Sequence, residues 1–151
     1  MCVEQEAHEM GLMDVPSFAA EFTFKVPAFA GIFYAFNTLA FSLGLMDAML
    51  VPLLGTPVES LPIVTSSIVD ALFMGFFVVN LLIGVLVYPF SFMNQETVKF
   101  QQKMAAAFYF GFLPVMYMMF SAGMMGAMGV GQYVVMNCIF GAFALYNLSK
   151  L

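Results

Sequence analysis

The sequence predicts an all-α membrane protein, a polytopic bundle of four transmembrane helices with its N- and C-termini on the same side. Three observations lead to this prediction. Of the 151 residues, 63% are hydrophobic and only 9% are charged, whereas soluble domains average about 45–50% apolar and about 25% charged residues. The apolar residues form long continuous stretches, and the four lysines all lie in the polar segments at the ends of these stretches. A soluble globule of this size could not cover itself with so few charges.

Residues 1–25 form an acidic tail that we expect to end in a short interfacial helix. Phe18 and Phe22 are four residues apart, which places them on one face of a helix at the membrane surface. The tail has neither the basic start of a secretory signal nor the arginines of a mitochondrial presequence. Either a transit segment has been removed, or the first span itself directs insertion.

Four spans follow within this single membrane domain. They lie at about 28–54, 63–90, 104–128 and 132–149. A turn at 55–62, a polar loop at 94–103 and a tight glycine-rich break at 129–132 separate them. A helix needs about 20 apolar residues to cross the hydrocarbon core, so the first two spans imply tilt or protruding ends. A membrane barrel would show alternating polarity in segments of about ten residues, so these continuous runs predict helices.

The lysines give an independent check on the number of spans. With four spans, Lys25, Lys99, Lys103 and Lys150 all fall on one side of the membrane. Three or five spans would split them. The positive-inside rule assigns the lysine-rich side to the cytoplasm, matrix or stroma.

Two acidic residues lie inside the predicted spans, Asp47 in the first and Asp70 in the second, and each span also carries an asparagine, Asn37 or Asn80. The two residues of each span are ten positions apart, in opposite order. In an antiparallel hairpin, Asn37 therefore lies level with Asn80 and Asp47 lies level with Asp70. At a rise of about 1.5 Å per residue, the two levels are about 15 Å apart.

Asn137 and Gln132 of the fourth span could reach the layer of the aspartates. Three interpretations of these polar residues stay open. In the first, Asn37 and Asn80 hydrogen-bond across the hairpin, and each aspartate reaches water or a neighbouring amide. In the second, one or more of the oxygens coordinates a cofactor, such as chlorophyll magnesium, or meets a partner subunit. In the third, carboxyl groups with raised pKa values relay protons or cations.

The sequence argues against several classes of function. The single histidine, His8, lies in the tail, which excludes a bis-histidine haem and a histidine-based metal centre inside the membrane. No Ser-His-Asp set, CxxC motif or P-loop occurs, so we expect no enzyme. A formal net charge of −5 argues against nucleic acid as a partner.

The remaining expectation is a non-catalytic accessory subunit of a larger bioenergetic complex in an organelle membrane. The abundant phenylalanines and the scattered oxygen ligands suggest first a photosystem or antenna assembly of the thylakoid, in contact with chlorophyll or carotenoid. A respiratory complex of the mitochondrial inner membrane comes second. The alternative is a small proton- or cation-coupled transporter or channel that uses Asp47 and Asp70.

Overall fold

The computed structural model describes residues 22–43, 67–90, 92–122 and 127–151. These residues form four helices and no strands: α1 (Phe22–Ser42), α2 (Ser67–Leu86), α3 (Gln95–Ser121) and α4 (Ala127–Leu148). The prediction of an all-α fold is confirmed for this part of the chain. The predicted interfacial helix before Phe22 and the turn at 55–62 lie outside the described residues.

The polar run at 94–103 is the beginning of α3 rather than a loop. Asn94 has an extended backbone, and its side chain accepts a hydrogen bond from the backbone N–H of Thr97 at 2.8 Å. This is an N-cap, which satisfies one of the backbone donors left free in the first helical turn. Glu96 in the first turn also stabilises the start of α3, because its negative charge complements the positive end of the helix dipole.

The turn between α3 and α4 also lies earlier than the sequence predicts. α3 ends at Ser121, where the backbone N–H of Ala122 bonds to the carbonyl of Met118. α4 has already begun at Ala127, so the glycine-rich segment 129–132 lies inside a helix. Glycine lowers helix stability by only about 1 kcal/mol, so a glycine within an apolar run does not by itself end a helix.

Helices α1 and α2 are antiparallel and pack closely, as do α3 and α4. The Phe29 and Tyr88 rings are 6.1 Å apart, which is the pairing that the predicted hairpin register requires. Gly31 lies against Gly84, two residues from that register. A Cβ atom on Gly31 would lie 2.7 Å from the backbone nitrogen of Gly84, so this approach depends on the missing side chain.

Helix α4 also packs against α1 and joins the two hairpins into one bundle. Asn147, near the end of α4, bonds to the carbonyl of Thr23 near the start of α1 and to the side chain of Gln102 near the start of α3. The helices therefore alternate in direction. As a consequence, Lys25, Lys99, Lys103 and Lys150 all lie at one end, which we call the lysine end.

Among the described residues, α3 is the helix that is long and apolar enough to cross a membrane, and Met74–Leu86 is a shorter apolar helical stretch. Length and composition alone therefore support one span in the described part of the chain.

Candidate functional site

Two groups of buried polar side chains occupy the interior of the bundle. The first lies at the lysine end and centres on Gln102 and Asn147, both fully buried. Asn147 Nδ2 donates to the carbonyl of Thr23 at 2.7 Å and to Oε1 of Gln102 at 3.0 Å. Gln102 Nε2 donates to the carbonyl of Phe24 at 3.3 Å.

Pro27 explains why these amides point at α1. Proline has no backbone N–H, so the carbonyl of Thr23, four residues earlier, loses its helical donor. The side chain of Asn147 supplies that donor from another helix. The Tyr109 hydroxyl donates to the carbonyl of Pro27 itself. Asn147 of α4 thus replaces the donor that Pro27 lacks, and Tyr109 of α3 adds a second contact to α1. Together the two bonds tie α1, α3 and α4 together at this end.

Gln101 performs a similar role at the end of α2. Its Nε2 donates to the carbonyls of Leu86 at 2.8 Å and Tyr88 at 3.3 Å. Leu86 is the last residue of α2, and the last carbonyls of a helix have no partner within it. Gln101 therefore holds the end of α2 against α3.

The second polar group lies deeper in the bundle, around a small cavity to which all four helices contribute. We call it the mid-bundle pocket. Its polar lining consists of Tyr34 and Thr38 of α1, Asn80 of α2, and Tyr133 and Asn137 of α4. The volume of the cavity is about 30 Å³, and a buried water needs roughly 10–15 Å³ of such space. The pocket therefore has room for one or two water molecules.

The rest of the pocket wall is apolar. Phe76 comes from α2, and Phe112, Met116 and Met119 come from α3. The rings of Phe76 and Phe112 meet edge to face at 5.5 Å. The polar atoms of the pocket thus lie in surroundings where an unsatisfied hydrogen-bonding group is costly.

Three of the polar residues in the pocket bond back to their own helices. Thr38 donates to the carbonyl of Tyr34 at 2.7 Å, Asn80 to that of Phe76 at 2.7 Å, and Asn137 to that of Tyr133 at 2.8 Å. Each acceptor lies four residues earlier in the same helix. Such local bonds satisfy a buried donor without help from a neighbouring helix.

Tyr34 differs from these three. It is 6% exposed, and its hydroxyl oxygen is buried without a hydrogen-bond partner. Its ring is held firmly, since it stacks on Tyr133 at 5.6 Å and meets Phe140 edge to face at 5.8 Å. The hydroxyl therefore cannot easily turn away to find another partner.

The structure brings some of the predicted site residues together and separates others. Asn80 and Asn137 line the same pocket. Asn37 does not bond to Asn80; its Nδ2 instead donates to the Tyr133 hydroxyl at 3.1 Å. The rotation of α1 explains this, because the close contact with α2 passes through Gly31 and turns Asn37 toward α4. Gln132 is exposed and lies outside the pocket lining.

The structure does not describe the side chain of either aspartate. Asp47 lies outside the described residues. Asp70 lies in the first turn of α2, about 15 Å along the helix from Asn80 by the rise per residue. The side chain of Asp70 lies outside the described part of the structure.

Within the described residues, no group of three or more His, Cys, Asp or Glu side chains is arranged to hold a metal ion. The sequence matches no protein-family model, and neither curated proteins nor solved structures show significant similarity to it. The interior geometry is therefore the basis for a functional interpretation.

Sequence reasoning missed the residues that connect the helices. They are Tyr34, Gln101, Gln102, Tyr109 and Asn147. One signal was available for Asn147: Pro27 within a helix leaves a carbonyl in need of a donor. A second was available for Gln101 and Gln102, because Asn94 followed by Glu96 is typical of a helix start and would have placed the glutamines in a helix.

Proposed function

We propose that the chain is an integral membrane protein and acts as a non-catalytic accessory subunit of a larger bioenergetic complex. The observation that carries the membrane part is the exposure of large apolar side chains on all four helices. Exposed apolar surface of this extent is unfavourable in water.

The exposed apolar residues occur along the whole length of the bundle. They include Phe33 and Phe36 on α1, Leu82 and Val85 on α2, Met118 and Phe120 on α3, and Val135 and Ile139 on α4. Lipid covers such surfaces, as do other membrane subunits. The amide side chains inside the bundle bond to its own helices. The outer faces are therefore the surfaces that contact lipid or other subunits.

The role of accessory subunit rests on the chemistry of the interior. The amides at the lysine end are used to bond helix carbonyls, and the mid-bundle pocket has room for one or two water molecules. These features serve to hold a bundle together. We place the subunit first in a photosystem or antenna assembly, where the exposed phenylalanines would contact pigment, and second in a respiratory complex.

The experiment is purification of the tagged chain from its native membrane in mild detergent. We expect extraction to require detergent, migration within a larger complex on native gels, and a defined set of co-purifying subunits. Chlorophyll or carotenoid absorption in the purified complex would favour the photosystem or antenna, and haem absorption from partner subunits would favour the respiratory complex. Release by alkaline carbonate would contradict the membrane assignment, and a lone, colourless, monodisperse protein would contradict the subunit.

A second candidate is a small proton- or cation-coupled transporter or channel. The observation in its favour is the partly polar pocket between the four helices. Asn80, which lines this pocket, lies on the same helix as Asp70. In this case Asp70→Asn or Asp47→Asn should abolish coupled flux in liposomes while leaving the fold intact. Flux at background level in both the original chain and these variants would contradict it.

A further inference from the structure

We propose that the mid-bundle pocket holds an ordered water molecule that is hydrogen-bonded to the Tyr34 hydroxyl. The proposal does not depend on the function proposed above, because it follows from the interior of the bundle alone. Two observations support it independently: a cavity of suitable size, and the buried, unpartnered hydroxyl of Tyr34, which is one of the residues that line this cavity.

The cavity is large enough to hold a water molecule. Its volume of about 30 Å³ exceeds the roughly 10–15 Å³ that one water requires, and an ordered buried water also needs two to four polar partners. The walls carry Tyr34, Thr38, Asn80, Tyr133 and Asn137, which supply hydroxyl and amide groups from three helices. Empty cavities that stay dry are lined by apolar groups alone, and this cavity is not.

Tyr34 provides the reason for the water to be there. Its hydroxyl is buried without a protein partner, and a buried hydroxyl that makes no hydrogen bond is unfavourable. The stacked ring of Tyr133 and the edge-on ring of Phe140 restrict its movement. A water in the pocket satisfies the hydroxyl where it stands and links α1 to the amide-bearing walls of α2 and α4.

The test begins with Tyr34→Phe, which removes the hydroxyl and keeps the ring. If the hydroxyl bonds to a water, this variant should shift the unfolding equilibrium in mixed micelles toward the unfolded state by about two- to tenfold, the usual effect of one lost hydrogen bond. If the pocket is empty, the variant removes an unsatisfied group and should leave stability unchanged or raise it. The sign of the change therefore distinguishes the two cases.

Two other tyrosines provide matched controls. Tyr109→Phe removes a hydroxyl that bonds to the carbonyl of Pro27, so it should destabilise whatever the pocket contains. Tyr117 is 70% exposed, so Tyr117→Phe should have no effect. A Tyr34→Phe variant that behaves like Tyr117→Phe or increases stability would contradict the water.

A direct measurement uses methionine methyl groups as probes. Met116 and Met119 line the pocket, and with ¹³C-methyl labelling they should show magnetisation transfer from a long-lived bound water. Asn137→Leu, which fills the pocket and removes an amide, should abolish this signal. Absence of the signal in the unaltered chain would overturn the proposal, and this measurement decides if the stability data disagree with it.

Discussion

At the scale of single residues, the clearest feature is that Asn147 supplies the hydrogen-bond donor that Pro27 lacks. The proline leaves the Thr23 carbonyl without its helical N–H, and an asparagine in another helix replaces it at 2.7 Å. The local defect in α1 thereby becomes a specific contact with α4. A side chain without a donor at position 147 would leave that carbonyl buried and unsatisfied.

We therefore expect Asn147→Leu to lower the free energy of unfolding by about 1–3 kcal/mol. The effect should be smaller in a Pro27→Ala background, because alanine restores a backbone N–H that can bond to the Thr23 carbonyl. A double-mutant cycle measured by reversible unfolding in mixed micelles tests this coupling. Equal losses in the two backgrounds would show that Asn147 stabilises the bundle by packing or by its bond to Gln102, and not through the Thr23 carbonyl.

At the scale of the helix, the contact between α1 and α2 is controlled by two glycines that face each other. A Cβ on Gly31 would meet the backbone of Gly84 and the carbonyl of Asn80 at 2.7–2.9 Å, and backbone atoms cannot rotate aside. A Cβ on Gly111 would meet nothing within 4 Å. The two positions are both helical, so they differ in their surroundings rather than in their backbone.

Gly31→Ala should consequently reduce the free energy of unfolding by about 1–3 kcal/mol, the usual cost of overpacking. Gly111→Ala is the matched control and should increase it by about 0.5–1 kcal/mol, since alanine is the better helix former. Thermal or denaturant unfolding followed by circular dichroism measures both. The same sign for the two substitutions would contradict the close approach of α1 and α2.

At the scale of the whole molecule, the alternating directions of the helices bring all four lysines to one end. The hydrogen bonds from Asn147 to Thr23 and Gln102 establish this arrangement without reference to a membrane. Exposed Thr97 and Ser149 lie at the lysine end, and exposed Ser121 lies at the other end of α3. These positions allow the proposed orientation to be tested.

In a background with Cys2 and Cys138 replaced by serine, we expect Thr97→Cys and Ser149→Cys to react with a membrane-impermeant thiol reagent from the same side. Ser121→Cys should react from the opposite side only. Labelling of intact and inverted vesicles distinguishes the two sides. Reaction of position 97 and position 149 from opposite sides would exclude two spans between them and with it the four-span arrangement. Equal labelling of all three positions in sealed vesicles would contradict a spanning bundle.

For the candidate residues, the sequence predicts their depth in the bundle better than their hydrogen-bond partners. Asn80 and Asn137, two of the polar candidates within the predicted spans, line one pocket. The expected hydrogen bond between Asn37 and Asn80 is absent, because a residue's depth in the bundle follows from its number whereas its direction follows from helix rotation. The end of α3 and the start of α4 were misplaced for a different reason, since glycines that resemble a break lie within a helix.

Composition and the length of the apolar runs were sufficient to predict helices, because both depend on neighbours along the chain. The antiparallel order of α1 and α2 followed too, since the register expected from Asn37 and Asn80 is that of an antiparallel hairpin. The partners of Thr23, Gln102 and Tyr109 were decided only when four helices packed together. Each of those contacts joins residues far apart in sequence, and a shift of one residue in a helix rotates a side chain by about 100°. Hydrogen bonding in the interior is therefore a property of the bundle as a whole.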